Sequence, residues 1–177
     1  MSTRTRLTVA VIGLCLAGTV LPASAATSGT TTDSVTITGG TLSITVPGAA
    51  GSLGSTPDTV GGATISGPLG QVQVLDARDA AAGSGWVASA ISTALTPSAG
   101  PTIPASDIGY TCGAITQAGT ATYTADDPAA LTGVSAVLTA TGITGDNSAT
   151  WNPTITVHVP GGMASGTYTG TITQSVA

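Results

Sequence analysis

The chain predicts an all-β fold: a two-sheet antiparallel β-sandwich of eight or nine short strands, preceded by a signal peptide. Three observations carry this. Apolar and polar residues alternate at period two in the runs after Ala26. Threonine, valine and isoleucine, which suit a pleated and half-buried surface, dominate those runs. Glycine and proline clusters punctuate them at short intervals. Alternation gives each sheet one wet face and one buried face, so two sheets must pack together. A Greek-key or immunoglobulin-like order fits this requirement, and a closed barrel is the alternative.

Residues 1–25 read as a secretory leader. Arg4 and Arg6 form a positive start, and "LTVAVIGLCLAGTVL" is an apolar core shorter than the roughly 18 residues of a membrane span. "ASA" ending at Ala25 supplies the small residues of a cleavage site, so the expected cut follows Ala25. Cys15 follows Leu14, where lipoprotein processing expects a small residue. Residues 26–177 are then expected to form a single domain. No second apolar segment and no sorting motif of the LPxTG type follows, so no membrane anchor is expected after cleavage.

The strands are taken in order. "SVTIT" (34–38) alternates, and "TLSITV" puts Leu42, Ile44 and Val46 on one face. Residues 47–70 are rich in glycine and read as a long connection with a short strand near Ala63–Ser66. "QVQVLD" and "WVASAIS" are expected to form a hairpin, with Asp76 and Arg78 at its turn and Trp86 opening the return strand. "DIGYTCG" and "TATYTA" follow, then "VSAVLTATG". "PTITVHVP" sets Ile155, Val157 and Val159 against Thr154, Thr156 and His158. "TYTGTITQSV" closes a final hairpin, where Tyr168 is expected to bond its hydroxyl back to the connecting loop.

Charge narrows the function. With Arg4 and Arg6 gone, one arginine, Arg78, stands against eight aspartates, a formal charge of −7, and lysine and glutamate are absent. Such a surface repels phosphate backbones and anionic lipid, so no nucleic-acid partner is expected. Cys112 is the one cysteine left after cleavage and sits in register with Ile108 and Tyr110. A buried core thiol is expected; an intermolecular disulfide is the alternative.

Candidate chemistry is sparse. His158, the single histidine, alternates with threonines on a polar strand face, and no G-x-S-x-G elbow occurs. No catalytic set converges, so no enzyme, cofactor or metal centre is expected. "ADD" (Ala125–Asp127) and "GDN" (Gly145–Asn147) place oxygen ligands without a calcium-loop spacing, and they read as turns. Trp86, Trp151 and Tyr123 are the candidates for ring stacking on a carbohydrate; core filling is the favoured role for them.

"VQVLDAR", a Gly-rich stretch and then "GWVASA" resemble the first conserved block of the WxL-domain proteins, secreted surface proteins of Gram-positive bacteria. "ITVHVPGGMASGTYTGTIT" looks like the closing hairpin of that family, and "TLSITVP" fits near the mature start. The resemblance implies a β-sandwich attached non-covalently to peptidoglycan. Under it, Trp86 matches the tryptophan of the first motif, Asp76 the aspartate before it, and Tyr168 the tyrosine opening the last strand. Ala88 stands where that motif has leucine, and Gln174-Ser175 replace the second motif, with Trp151 one strand too early to substitute. These departures make it resemble a divergent WxL-like protein, and the Ala, Thr and Gly bias points to a high-GC Gram-positive genome.

The expectation is therefore a secreted, non-enzymatic surface module whose partner is peptidoglycan or another wall polymer, or other surface proteins. The alternative is a structural or self-assembling coat or matrix protein, motivated by low charge, apolar composition and open sheet edges with almost no charged gatekeepers.

Overall fold

A computed structural model describes residues 34–177. The expected leader and its cleavage site at Ala25 lie outside the described residues. The fold is all-β, with two antiparallel sheets, as the alternation predicts. Ile37–Ala177 forms one compact unit.

The strands are β1 (Leu42–Thr45), β2 (Ala63–Pro68), β3 (Val72–Ser92), β4 (Ile108–Thr111), β5 (Ile115–Ala125), β6 (Ser135–Trp151), β7 (Thr154–Val159) and β8 (Ile172–Val176). The large sheet runs β1-β3-β6-β5, with β8 also paired to β3. The small sheet runs β2-β7-β4. Since β6 occupies one side of β3 along nearly its whole length, β1 and β8 share the other side. β1 pairs with Gln73–Asp76 and β8 with Ala88–Ser92. Among the described strands, only β5 and β6 are joined as a hairpin, and every other connection passes from one sheet to the other.

Four expectations need correction. Ser34–Thr38 forms no strand: Val35 and Ile37 are exposed, and the ladder on β3 begins at Gly40, whose N–H donates to Ala77 O. The hairpin through Asp76 and Trp86 does not exist either. β3 is continuous over 21 residues, because β6 continues alongside it for 17. The glycines that read as a turn are taken up as bulges: the register shifts between Asp76 and Ala80, Ala80 and Ser84, and Ser84 and Trp86. Asp79 (φ 53) and Gly83 (φ 88) carry the left-handed backbone this needs. "GDN" is likewise no turn but the facing irregularity in β6, with Gly145 at φ 69. Finally, β7 and β8 are no hairpin, for β7 lies in the small sheet and β8 in the large one.

The core fills the space between the sheets. Val72, Val74, Trp86, Ala88 and Ala90 come from β3, Val137, Leu138, Ile143 and Trp151 from β6, Ile155 and Val157 from β7, and Ile108 and Tyr110 from β4. Each fully buried Val, Leu or Ile contributes about 1.5–3 kcal/mol relative to exposure.

Candidate functional site

The bulged centre of β3 gathers the charged and aromatic residues that stand together in the sequence. Asp76 continues the buried face of Val72 and Val74, and its side chain is 0% exposed. A buried carboxylate must be paired and hydrogen-bonded. Arg78 Nε donates to Oδ1 at 2.8 Å and Nη2 to Oδ2 at 3.0 Å. Arg78 N–H adds a bond to Oδ1 at 3.2 Å, and Asn147 Nδ2 a bond to Oδ2 at 3.1 Å. The fork is bidentate, the stronger form of such a pair. Arg78 then reaches Gly85 O at 3.2 Å, which ties the two ends of the bulge together. The pair thus lies within a strand, with its carboxylate buried, and not at the hairpin turn expected from the sequence.

Asn147 joins this pair to the aromatics. Its Oδ1 accepts from Trp86 Nε1 at 2.9 Å. Tyr123 donates its hydroxyl to Ser148 O at 3.1 Å and lies 3.3 Å from the same Oδ1. The Trp86 and Tyr123 rings tilt at 55° with centroids 5.7 Å apart. Nearby, Asp79 N–H donates to Asp146 Oδ1 at 3.1 Å. The Arg78 hydrogen bonds hold the Asp76 carboxyl below the usual carboxylate range, and Asp76 holds the guanidinium above its own. Burial, helped by the charge of Asp76, pushes the Tyr123 phenol up.

A second cluster sits around Trp151. Its Nε1 donates to Tyr110 Oη at 2.8 Å, and that hydroxyl donates to Gln174 Oε1 at 3.0 Å. Burial drives the Tyr110 phenol well above its ordinary value. Cys112 is fully buried, its Sγ–H donating to Val137 O at 2.9 Å and its N–H to Asp127 Oδ1 at 2.8 Å. Burial pushes its thiol up to about 12, with the charges of Asp127 and Asp126 adding to the effect. Asp127 holds a left-handed backbone, φ 42, consistent with the turn read there.

The four residues singled out from the sequence therefore separate. Asp76 and Trp86 meet through Asn147. Trp151 belongs to the other cluster. Tyr168 lies between β7 and β8 and donates its hydroxyl to Ala164 O at 2.9 Å, the loop-tying bond expected of it. Both tryptophans are 2% exposed, so neither offers a ring face for stacking on a sugar; they fill the core. His158 is exposed, with Nδ1 3.3 Å from Thr64 Oγ1. Asn147, Tyr123 and Gln174 were not singled out as partners. "GDN" held the first in plain view, but only the facing strand shows what it bonds.

An open cleft of 860 Å³ lies elsewhere, lined by Leu53, Ile65, Leu95, Ile103, Val157 and Met163, with Tyr168 at its border. Asp76, Trp86 and Trp151 do not line it. Among the described residues, no three His, Cys, Asp or Glu side chains are grouped to hold a metal ion, and no helix is long and apolar enough to cross a membrane.

Over β5 and β6 the outer face of the large sheet is a hydroxyl surface, while β3 adds the exposed Leu75 and Val87. On β5 and β6, Thr116 stands opposite Thr150, Thr120 opposite Thr144, Thr122 opposite Thr141 and Thr124 opposite Thr139. No charged residue occurs on β5. No protein-family model matches the chain, and no curated protein or solved structure is similar to it.

Proposed function

We propose that the chain is an exported, non-enzymatic surface module that holds to the cell wall by non-covalent contact, as the WxL-like blocks imply. The observation that carries the reading is the paired threonine face of β5 and β6. It offers hydroxyl donors and acceptors, with Asp126 Oδ2 bonded to Thr139 at one end, which suits the hydroxyls and amides of a glycan and not an anionic polymer. The side chains with most chemical potential support the non-enzymatic part. Asp76 is spent on Arg78 and Asn147, Cys112 is buried as a raised-pKa thiol, and Tyr110 is committed to Trp151 and Gln174. Burial of Trp86 moves the expected contact away from ring presentation and onto the sheet face.

The test is sedimentation of the purified protein with isolated cell walls, with soluble polysaccharides as competitors. Binding should survive moderate salt, because no ion pair mediates it. Thr116→Asp with Thr141→Asp, two exposed positions in different cross-strand rows, should abolish co-sedimentation while the melting temperature holds. Wall binding unaffected by that pair of substitutions would move the contact off this face. Recovery of all the protein in the supernatant would overturn wall association itself.

A further inference from the structure

We infer that two copies of this chain pair edge to edge through β5. The inference stands apart from wall binding and needs only the strand itself. A sheet edge presents unpaired N–H and C=O groups, and natural proteins blunt it with short strands, proline or lysine, or cover it. Three of the edges here are treated in those ways. β4 is covered, since Tyr110 N–H donates to Pro128 O and Cys112 N–H to Asp127. β2 has six residues and ends in Pro68. β1 and β8 divide one edge into pieces of four and five residues. The fourth edge, β5, runs for 11 residues with no proline and no charge, pairs among the described residues only with β6, and has no residue fully buried.

The occupant follows from the sequence of the strand. The centre of β5 is kinked, with Gly119 at φ 82, where the register to β6 shifts between Gly119 and Thr120 and again before Thr122, the extra residues lying on β6. It leaves two regular stretches, Ile115–Gly119 and Thr122–Ala125. A two-fold axis through Thr120, perpendicular to the sheet, pairs the first stretch of one copy with the second stretch of the other. Both kinks then fall on the axis. Thr116 meets Thr124 of the second copy, and Thr120 meets its own counterpart. Residues of the same parity face each other, so the threonine face stays on one side. Two kinds of row then carry four threonines, Thr150–Thr116–Thr124–Thr139 and Thr144–Thr120–Thr120–Thr144, and the row between them reads Ser148–Ala118–Thr122–Thr141. Such cross-strand threonine pairs are favourable contacts. The contact is isologous and closes on itself, so it yields a dimer and not a filament.

The test is sedimentation velocity of the purified protein over a concentration series, in moderate salt to screen the acidic charge of both copies. A monomer–dimer equilibrium is expected. Thr120→Lys places two ammonium groups face to face on the axis and should weaken association by about tenfold or more. Thr120→Asp should do the same. An equimolar mixture of the two variants should restore the dimer, a result that loss of folding cannot produce. Thr120 is exposed, so circular dichroism and melting temperature should match the parent. If Thr120→Lys fails to fold, Thr124→Lys tests the same contact opposite Thr116. A monomer at every concentration would overturn the pairing. So would a dimer indifferent to Thr120→Lys and Thr124→Lys, or assemblies that grow beyond two copies.

Discussion

Trp86 and Asn147 meet at 2.9 Å, indole donor to carboxamide acceptor, across β3 and β6 in the middle of the core. The bond lets a large ring be buried without stranding its N–H, and it orients Asn147 so that its amino group faces Asp76. Trp86→Ala should therefore cost about 3–5 kcal/mol, through cavity formation and the loss of this anchor. Trp86→Phe keeps most of the packing and should cost about 1–2 kcal/mol, for one unmade buried bond. Urea unfolding of the two variants measures both values. An alanine variant with the parent's midpoint would remove the core role assigned to this ring.

The Asp76–Arg78 pair makes stability depend on acid. The folded-state pKa of Asp76 lies below its unfolded value of about 3.9. The unfolded chain therefore takes up the proton first as pH falls. The contribution is fully present above the unfolded value and is lost as pH drops through the folded one. Stability should be flat near neutrality and fall below about pH 4. Asp76→Asn should be less stable at pH 7 and lose less on acidification. Denaturation midpoints at pH 7 and pH 3 give the comparison, and equal acid sensitivity in parent and variant would contradict the assignment.

Cys112 should behave as an inert thiol. Burial pushes its pKa up to about 12, so almost no thiolate exists at pH 8, and the sulfur has no exposed surface. A bulky thiol reagent should label the native protein only at the rate of unfolding, and label it at once in denaturant. Fast native labelling would show that β4 opens.

Tyr168→Phe isolates one hydrogen bond. The lost contact to Ala164 O is partly exposed, so the cost should be about 0.5–1.5 kcal/mol. Protease cleavage between Gly161 and Thr167 should accelerate, because the bond spans that connection. Unchanged cleavage would mean that the loop is held by other contacts.

Local alternation was enough to read much of this fold. Ile155 and Val157 face inward because they alternate with threonine, and Cys112 is buried because it keeps step with Ile108 and Tyr110. The short strand β2 was visible within a glycine-rich connection. What local pattern cannot show is a bulge. Gly83-Ser84-Gly85 and Gly145-Asp146-Asn147 each read as a chain reversal. Each stays extended because the other strand offers a matching irregularity 60 residues or so away, a pairing that no local window contains. The buried network followed from the same long-range match. Asp76 and Trp86 were visible as a pair of interest, but Asn147, which connects them, is positioned only by β6. The β7–β8 connection was misread for a related reason: a loop of Gly161–Gly170 spans two sheets as readily as it turns within one.

The shared side of β3 also bears on where the chain could be cut. β8 advances along β3 from Ser92 to Ala88 and, with Ala177 bonded to Val87, stops near its middle. β1 starts beside Asp76 and proceeds in the same direction. The two strands touch, with Ala177 bonded to Val87 on one side of the bulge and Gly39 and Gly40 against Arg78 and Ala77 on the other. A circular permutant that joins Ala177 to Gly39 by a short linker, with new ends opened between Gly161 and Gly162, would thread one unbroken ribbon along β3. It should fold to the same two sheets, so the order in which this domain's strands are synthesised is separable from the shape they adopt.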